Sequence, residues 1–236
     1  MNPKTFFAVI TMMVSAGHVV GQSCDERAVS PACWRRILDP SFHGGIAVDT
    51  IGFGDIPVDV EYRGTVVEAI QWTHSSSRHM VFLTQTGDFK RTDDAGDPVD
   101  RAELHAYHLL QETGGKWQRL WRISDFNECP ELDQYVGFIQ GSLTITDLDQ
   151  NGEPEVTLGY RLLCRGGLDP GTMKLILYEG LNKRAVRGTA TICIPNAEYP
   201  PSTPTPDKEA TSHPLFLDHL MKQWKRFECE DAGQLR

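Results

Sequence analysis

The chain has 236 residues, of which 40% are apolar and 23% charged. That composition supports a folded core and excludes disordered and collagen-like chains. With 23 Lys and Arg against 32 Asp and Glu the net charge is −9, which repels phosphate and argues against nucleic-acid binding.

Residues 1–22 read as a secretory signal peptide. Lys4 is the positive start, residues 5–16 (TFFAVITMMVSA) are the apolar stretch, and Ala16 or Gly21 precedes the cut. This apolar stretch is short of the ~20 residues that cross a bilayer, so no membrane span is expected after cleavage. Cleavage removes Lys4 and no acid, which moves the net charge from −9 to −10. The expected location is the periplasm or cell surface of a Gram-negative-type cell, or the medium around it. All six cysteines follow the cut, and in an exported chain they read as three disulfides. Six cysteines allow about 15 connectivities, and spacing alone does not choose among them; the simplest pairs neighbours, Cys24 with Cys33, Cys129 with Cys164 and Cys193 with Cys229. No CxxC spacing occurs that would favour zinc.

Residues 23–44 read as an irregular N-terminal segment, and residues 45–199 as a β-rich domain. Strands are expected over residues 65–72, 79–83, 103–110, 116–123, 142–146, 155–163, 173–178 and 185–193, with a hairpin turn at Gly114-Gly115. Residues 91–100 (RTDDAGDPVD) read as an acidic loop. Short strands separated by turns predict a mostly β fold, an antiparallel sheet assembly with a C-terminal α-helix. Residues 200–211 open with PPSTPTPD and read as a Pro-rich linker. Residues 212–236 then hold a helix, capped by Ser212 and with Pro214 in its first turn. Leu217, Leu220, Met221, Trp224 and Phe227 share one face of it, which predicts packing back onto the sheet.

The most informative stretch is residues 147–155, DLDQNGEPE. Asp147, Asp149 and Asn151 place oxygens at loop positions 1, 3 and 5. Gly152 permits the sharp turn, the carbonyl of Glu153 stands at position 7, and Glu155 closes the set at position 9. Calcium takes six to eight oxygens in flexible geometry, which this spacing approaches. An EF-hand is excluded, because its position 12 requires Glu and residue 158 is Leu. The flanks SLTIT and EVTLGYRLL read as strands, so the unit is strand–calcium loop–strand. It resembles the FG-GAP or integrin-type blade unit of β-propellers, although one copy is present where a propeller needs several. The expected cofactor is a structural Ca2+ ion.

Over residues 62–188, the blocks WTHSSSRHMVFLTQTGDFK, ELHAYHLL, WRISDFNECP, ITDLDQNGEPEVTLGYRLLCRGGLDPGTMKLILYEG and KRAVRG resemble an exported bacterial family. That family carries a loose label, surface polysaccharide biosynthesis protein. The resemblance implies a role at the cell surface rather than a particular reaction.

Other candidates carry less chemistry. His105 and His108 would point to opposite faces of a strand, which defeats joint metal binding. His74 beside Ser75, Ser76 and Ser77 reads as a solvated turn. Asp93, Asp94, Asp97 and Asp100 lack the 1-3-5 order of a cation loop. Trp72, Trp117, Trp121, Tyr107 and Tyr135 read as core aromatics rather than a sugar platform. Neither HExxH nor GxSxG occurs, and no catalytic residue is assigned. The sequence reading is therefore a non-enzymatic, calcium-binding periplasmic or surface protein, accessory to surface polysaccharide and partnered by an envelope protein or glycan. The alternative is a periplasmic inhibitor or immunity-type protein, whose acidity would speed encounter with a basic cell-wall-targeting enzyme. A two-carboxylate glycan hydrolase is the third class.

Overall fold

The computed structural model describes residues 43–130 and 132–230. The signal segment and the expected Cys24–Cys33 pair lie outside the described residues. The fold is mostly β. The first sheet holds β1 (Asp49–Thr50), β2 (Thr65–His74), β3 (Ser77–Gln85), β4 (Phe89–Thr92), β5 (Pro98–Gln111) and β6 (Gln118–Cys129). β5 is its spine: β3 and β4 share one edge of it and β6 takes the other, all antiparallel.

The second sheet holds β7 (Asp133–Phe138), β8 (Thr144–Thr146), β9 (Glu155–Arg165), β10 (Thr172–Glu179) and β11 (Asn182–Thr189). Here β9 is the spine, with β7 and β8 along one edge and β10 along the other. After β12 (Thr191–Ile192) the chain adds β13 (Thr205–Pro206) to the edge of β11. Then come a short helix α1 (Lys208–Thr211), the main helix α2 (Pro214–Phe227) and β14 (Cys229–Glu230), which pairs parallel with β12.

The two sheets pack face to face. Ile70, Trp72, Val81, Leu83, Leu104 and Ala106 of the first meet Val156, Leu158, Tyr160, Ile176 and Tyr178 of the second in one buried cluster. The alternate residues of the same strands serve two outer layers, as a period of two requires. Met173, Leu175 and Leu177 face α2, where Phe216, Leu220 and Trp224 are fully buried. On the other side Met80, Phe82, Tyr107 and Leu109 are covered by the segment carrying Ile51, Ile56 and Val60. β5 is therefore buried on both faces from Ala102 to Leu109.

Both described cysteine pairs match the neighbour pairing. Cys129–Cys164 ties β6 of one sheet to β9 of the other, and Cys193–Cys229 ties the chain after β12 to β14. Asn127 Nδ2 reinforces the first tie by donating to the Leu163 carbonyl at 2.7 Å. Arg161 Nη2 donates to the carbonyls of Phe227 and Cys229, which supplies donors for the end of α2.

Several boundaries differ from expectation. The acidic stretch 91–100 is not all loop: its two ends belong to the paired strands β4 and β5, and only residues 93–97 form the turn, with Asp93 Oδ1 accepting from the amides of Ala95 and Asp97. β7 falls where no strand was expected, since YVGF shows little alternation and gains its order from pairing with β9. The Pro-rich linker is no free spacer: Thr205–Pro206 forms an edge pair, and Asp207 caps α1 by accepting from the Ala210 amide at 2.8 Å. Ser212 does not cap the main helix; it ends α1, and His213 holds the N-cap position with Pro214 at N1. The strand–loop–strand unit around residues 147–155 is present as β8 and β9, paired antiparallel within the second of two face-packed sheets.

Candidate metal centre

The loop joining β8 to β9 projects beyond the second sheet, beside the β10–β11 turn. Gln150 and Gly152 take positive φ, at 58° and 89°, and so reverse the chain within a few residues. Ligand atoms of Asp147, Asp149 and Glu155 lie within 4.8 Å of one another. The first two residues are partly buried and Glu155 is fully buried.

Glu155 is the anchor, the first residue of β9. Its Oε2 accepts from the Thr146 hydroxyl at 2.8 Å and from the Leu148 amide at 2.9 Å. Burial, and secondarily the charge of Asp149, pushes its carboxyl up to about 7 despite these donors. Asp147 accepts from the Gly152 amide at 3.2 Å, and Asp149 from the Asn151 amide at 3.2 Å. No Lys or Arg forms an ion pair with Asp147, Asp149 or Glu155 among the described residues. Three carboxylates thus converge without a protein cation between them.

Asn151 and Glu153 behave differently from the other predicted ligands. Both are exposed. The Asn151 amide nitrogen donates to Asp149 Oδ2 at 3.1 Å and to Glu179 Oε1 at 2.9 Å, while its oxygen accepts from the Glu153 amide at 2.7 Å. Glu179, from the end of β10, was not singled out by sequence; it lies 28 residues away and only sheet pairing brings it to the loop. Its carboxylate also meets Arg184 at 3.3 Å.

The other candidates fall where the spacing placed them. His105 and His108 sit on opposite faces of β5. His105 bonds Ser124 Oγ at 2.9 Å and lies 3.4 Å from Glu103, while His108 faces the other sheet. Ser75 and Ser76 form the β2–β3 turn with positive φ. Trp72, Trp121 and Tyr107 are buried in the core, and Trp117 packs partly buried against the outer layer.

Pair patterns missed two further groups. His79 Nδ1 lies 3.0 Å from His108 Nε2, a contact between two strands. Burial, and secondarily the charge of His74, lowers His79 to about 4; burial, and secondarily the charge of His79, lowers His108 to about 3. Glu68 on β2 turns a carboxyl inward, its Oε1 buried without a hydrogen-bond partner, and burial raises it to about 7. A charged residue at an inward position of the alternating run 65–72 was the available signal for Glu68. The chain matches no family model, no curated protein and no solved structure.

Proposed function

We propose that the protein is an exported, non-enzymatic envelope protein whose second sheet is stabilised by one calcium ion in the loop 147–155. The observation that carries this reading is the convergence of Asp147, Asp149 and Glu155 within 4.8 Å, with no protein cation to neutralise them. A hard divalent ion with oxygen preference answers that arrangement. Asn151 joins the set if its amide turns over to present Oδ1. The ion would clamp the β8–β9 loop and relieve the repulsion between Glu155 and Asp149.

Export is supported by the leader-like first 22 residues and by two disulfides that persist best in an oxidising compartment. Among the described residues, no helix is long and apolar enough to cross a membrane. A role accessory to surface polysaccharide is supported by the family resemblance of residues 62–188.

Calorimetric titration of chelator-treated, oxidised protein with CaCl2, paired with thermal melts, tests the calcium reading. One site per chain and a raised melting temperature are expected. No heat and no shift up to about 5 mM, beyond the ~0.1–1 mM range of extracellular calcium modules, would return the loop to a polar turn.

A further inference from the structure

A groove runs along one edge of β6, between that strand and the inner face of the second sheet. Among the described residues β6 pairs only with β5. Its other edge lies over β10: the Trp121 and Tyr178 rings stack with centres 4.4 Å apart, and Asp125 meets Lys174 at 2.5 Å. β11 pairs with β10 on the side away from β9, so it extends the inner face past β6. The groove has a volume of about 380 Å³, and its lining includes Asp125, Asn127, Leu162, Asp169, Thr172 and Lys174.

Three cations stand on this inner face. Lys174 is opposite Arg187 in the β10–β11 register, and Lys183 is opposite Tyr178. The period of two puts Lys183, Ala185 and Arg187 on one side of β11, and Ala185 belongs to the cluster buried between the sheets. Lys174 is paired with Asp125, and Arg187 with Asp207 at 3.4 Å. Lys183 is partly buried yet has neither an ion pair nor a hydrogen-bond acceptor among the described residues; its ammonium rests 5.9 Å from the centre of the Tyr178 ring. Burial, and next the charge of Arg187, lowers its pKa. At the other end of the groove Arg165 is already held by Glu230 and by the Asp169 carbonyl. Lys183 is thus the cation of this face that lacks an acceptor, and an anion beside it would relieve both its burial and the repulsion from Arg187.

We propose that this groove binds a small acidic saccharide, with its carboxylate at Lys183 and its hydroxyls along Asp125, Asn127, Asp169 and Thr172. The volume falls within the ~300–1,000 Å³ of small-ligand sites, which favours a short ligand over a folded partner. Such sites are mostly apolar, whereas this lining is mostly polar, which favours a hydroxylated ligand. Carboxylate and amide side chains accept from hydroxyls, and the Lys183 ammonium, which only donates, selects an acid group on the same molecule. The inference rests on the groove alone and is independent of the calcium loop.

The test is calorimetric titration of the purified, oxidised full chain with trigalacturonic acid, in chelator so that the acidic loop contributes nothing. Binding at one site per chain is expected. Lys183→Gln should weaken it at least about tenfold, the loss of one charge-assisted bond, and neutral maltotriose should bind more weakly by at least the same factor. Absence of binding, equal affinity for maltotriose, or unchanged affinity in Lys183→Gln would each overturn the proposal. Equal or tighter binding of inorganic phosphate would mark a bare anion site and that of triglutamate a peptide site, and either would overturn it as well. Should Lys183→Gln fail to fold, acetylation of the unmodified protein decides: trigalacturonate should protect Lys183 from acetic anhydride, and a lack of protection would refute the assignment.

Discussion

The hydroxyl of Thr146 donates to Glu155 across the β8–β9 pair, at 2.8 Å, and holds a fully buried carboxylate at the base of the acidic loop. That bond fixes one wall of the candidate calcium site before any ion arrives. Asp147 and Asp149, partly buried on the loop above it, complete the wall.

The first prediction concerns Asp149→Ala. With a Kd of about 0.1–1 mM, 10 mM calcium stabilises the folded chain by about 1.4–2.7 kcal/mol. That corresponds to a melting-temperature rise on the order of 3–10 °C for a chain of this size. Asp149→Ala should lose most of this rise and melt near the unmodified protein in chelator. Equal shifts in calcium and in chelator would show that the loop holds no metal.

Glu68 gives a pH prediction. Its folded-state pKa of about 7 exceeds the ordinary 4.5, so the folded chain binds this proton more tightly than the unfolded one. The contribution is fully present below about 4.5 and is lost as pH rises through about 7. Glu68→Gln should therefore gain stability relative to the unmodified protein between pH 5 and pH 8. The residue is partly exposed, and solvent screening brings the expected gain to about 1–2 kcal/mol. Urea melts of both proteins at the two pH values measure it, and an identical difference at each pH would refute it.

Trp224 is buried against β10, and its Nε1 donates to Ser202 Oγ at 3.1 Å. Trp224→Ala should cost about 3–5 kcal/mol. Hydrogen exchange should quicken first in α2 and in residues 200–206, because the same indole holds both. A loss under 1 kcal/mol would mean that α2 contributes little to the folded core.

Replacing Cys193 and Cys229 by Ser together should cost about 2–4 kcal/mol, the usual range for a loop of this length. The β12–β14 pair should open before either main sheet. Arg165 and the Gly171 amide should still hold Glu230, at 3.2 and 2.9 Å, so the sheets themselves should keep their protection. Limited proteolysis that cuts both sheets as readily as the C-terminal segment would contradict this.

Much of the architecture was legible because local chemistry dictates it. Alternation along residues 65–72 and 103–110 predicts strands, and Pro214 ahead of Leu217, Leu220 and Trp224 predicts a helix that buries one stripe. The two described cysteine pairs, Cys129–Cys164 and Cys193–Cys229, join neighbours in chain order. β7 was not legible, since its order comes from β9 rather than from its own pattern. The start of α2 was misplaced because Asp207 already caps a separate short helix.

By itself the sequence determined the two periodicities, the alternating oxygen side chains of residues 147–155 and the supply of thiols for bridging. These depend on residues near one another in the chain. Only the tertiary structure decided which faces meet and which distant groups share a site. It brought Glu179 to Asn151, set His79 against His108, and turned the carboxyl of Glu68 toward the core. Such contacts depend on strand register and sheet packing. A one-residue slip would turn each of these side chains to the opposite face, which local spacing does not reveal.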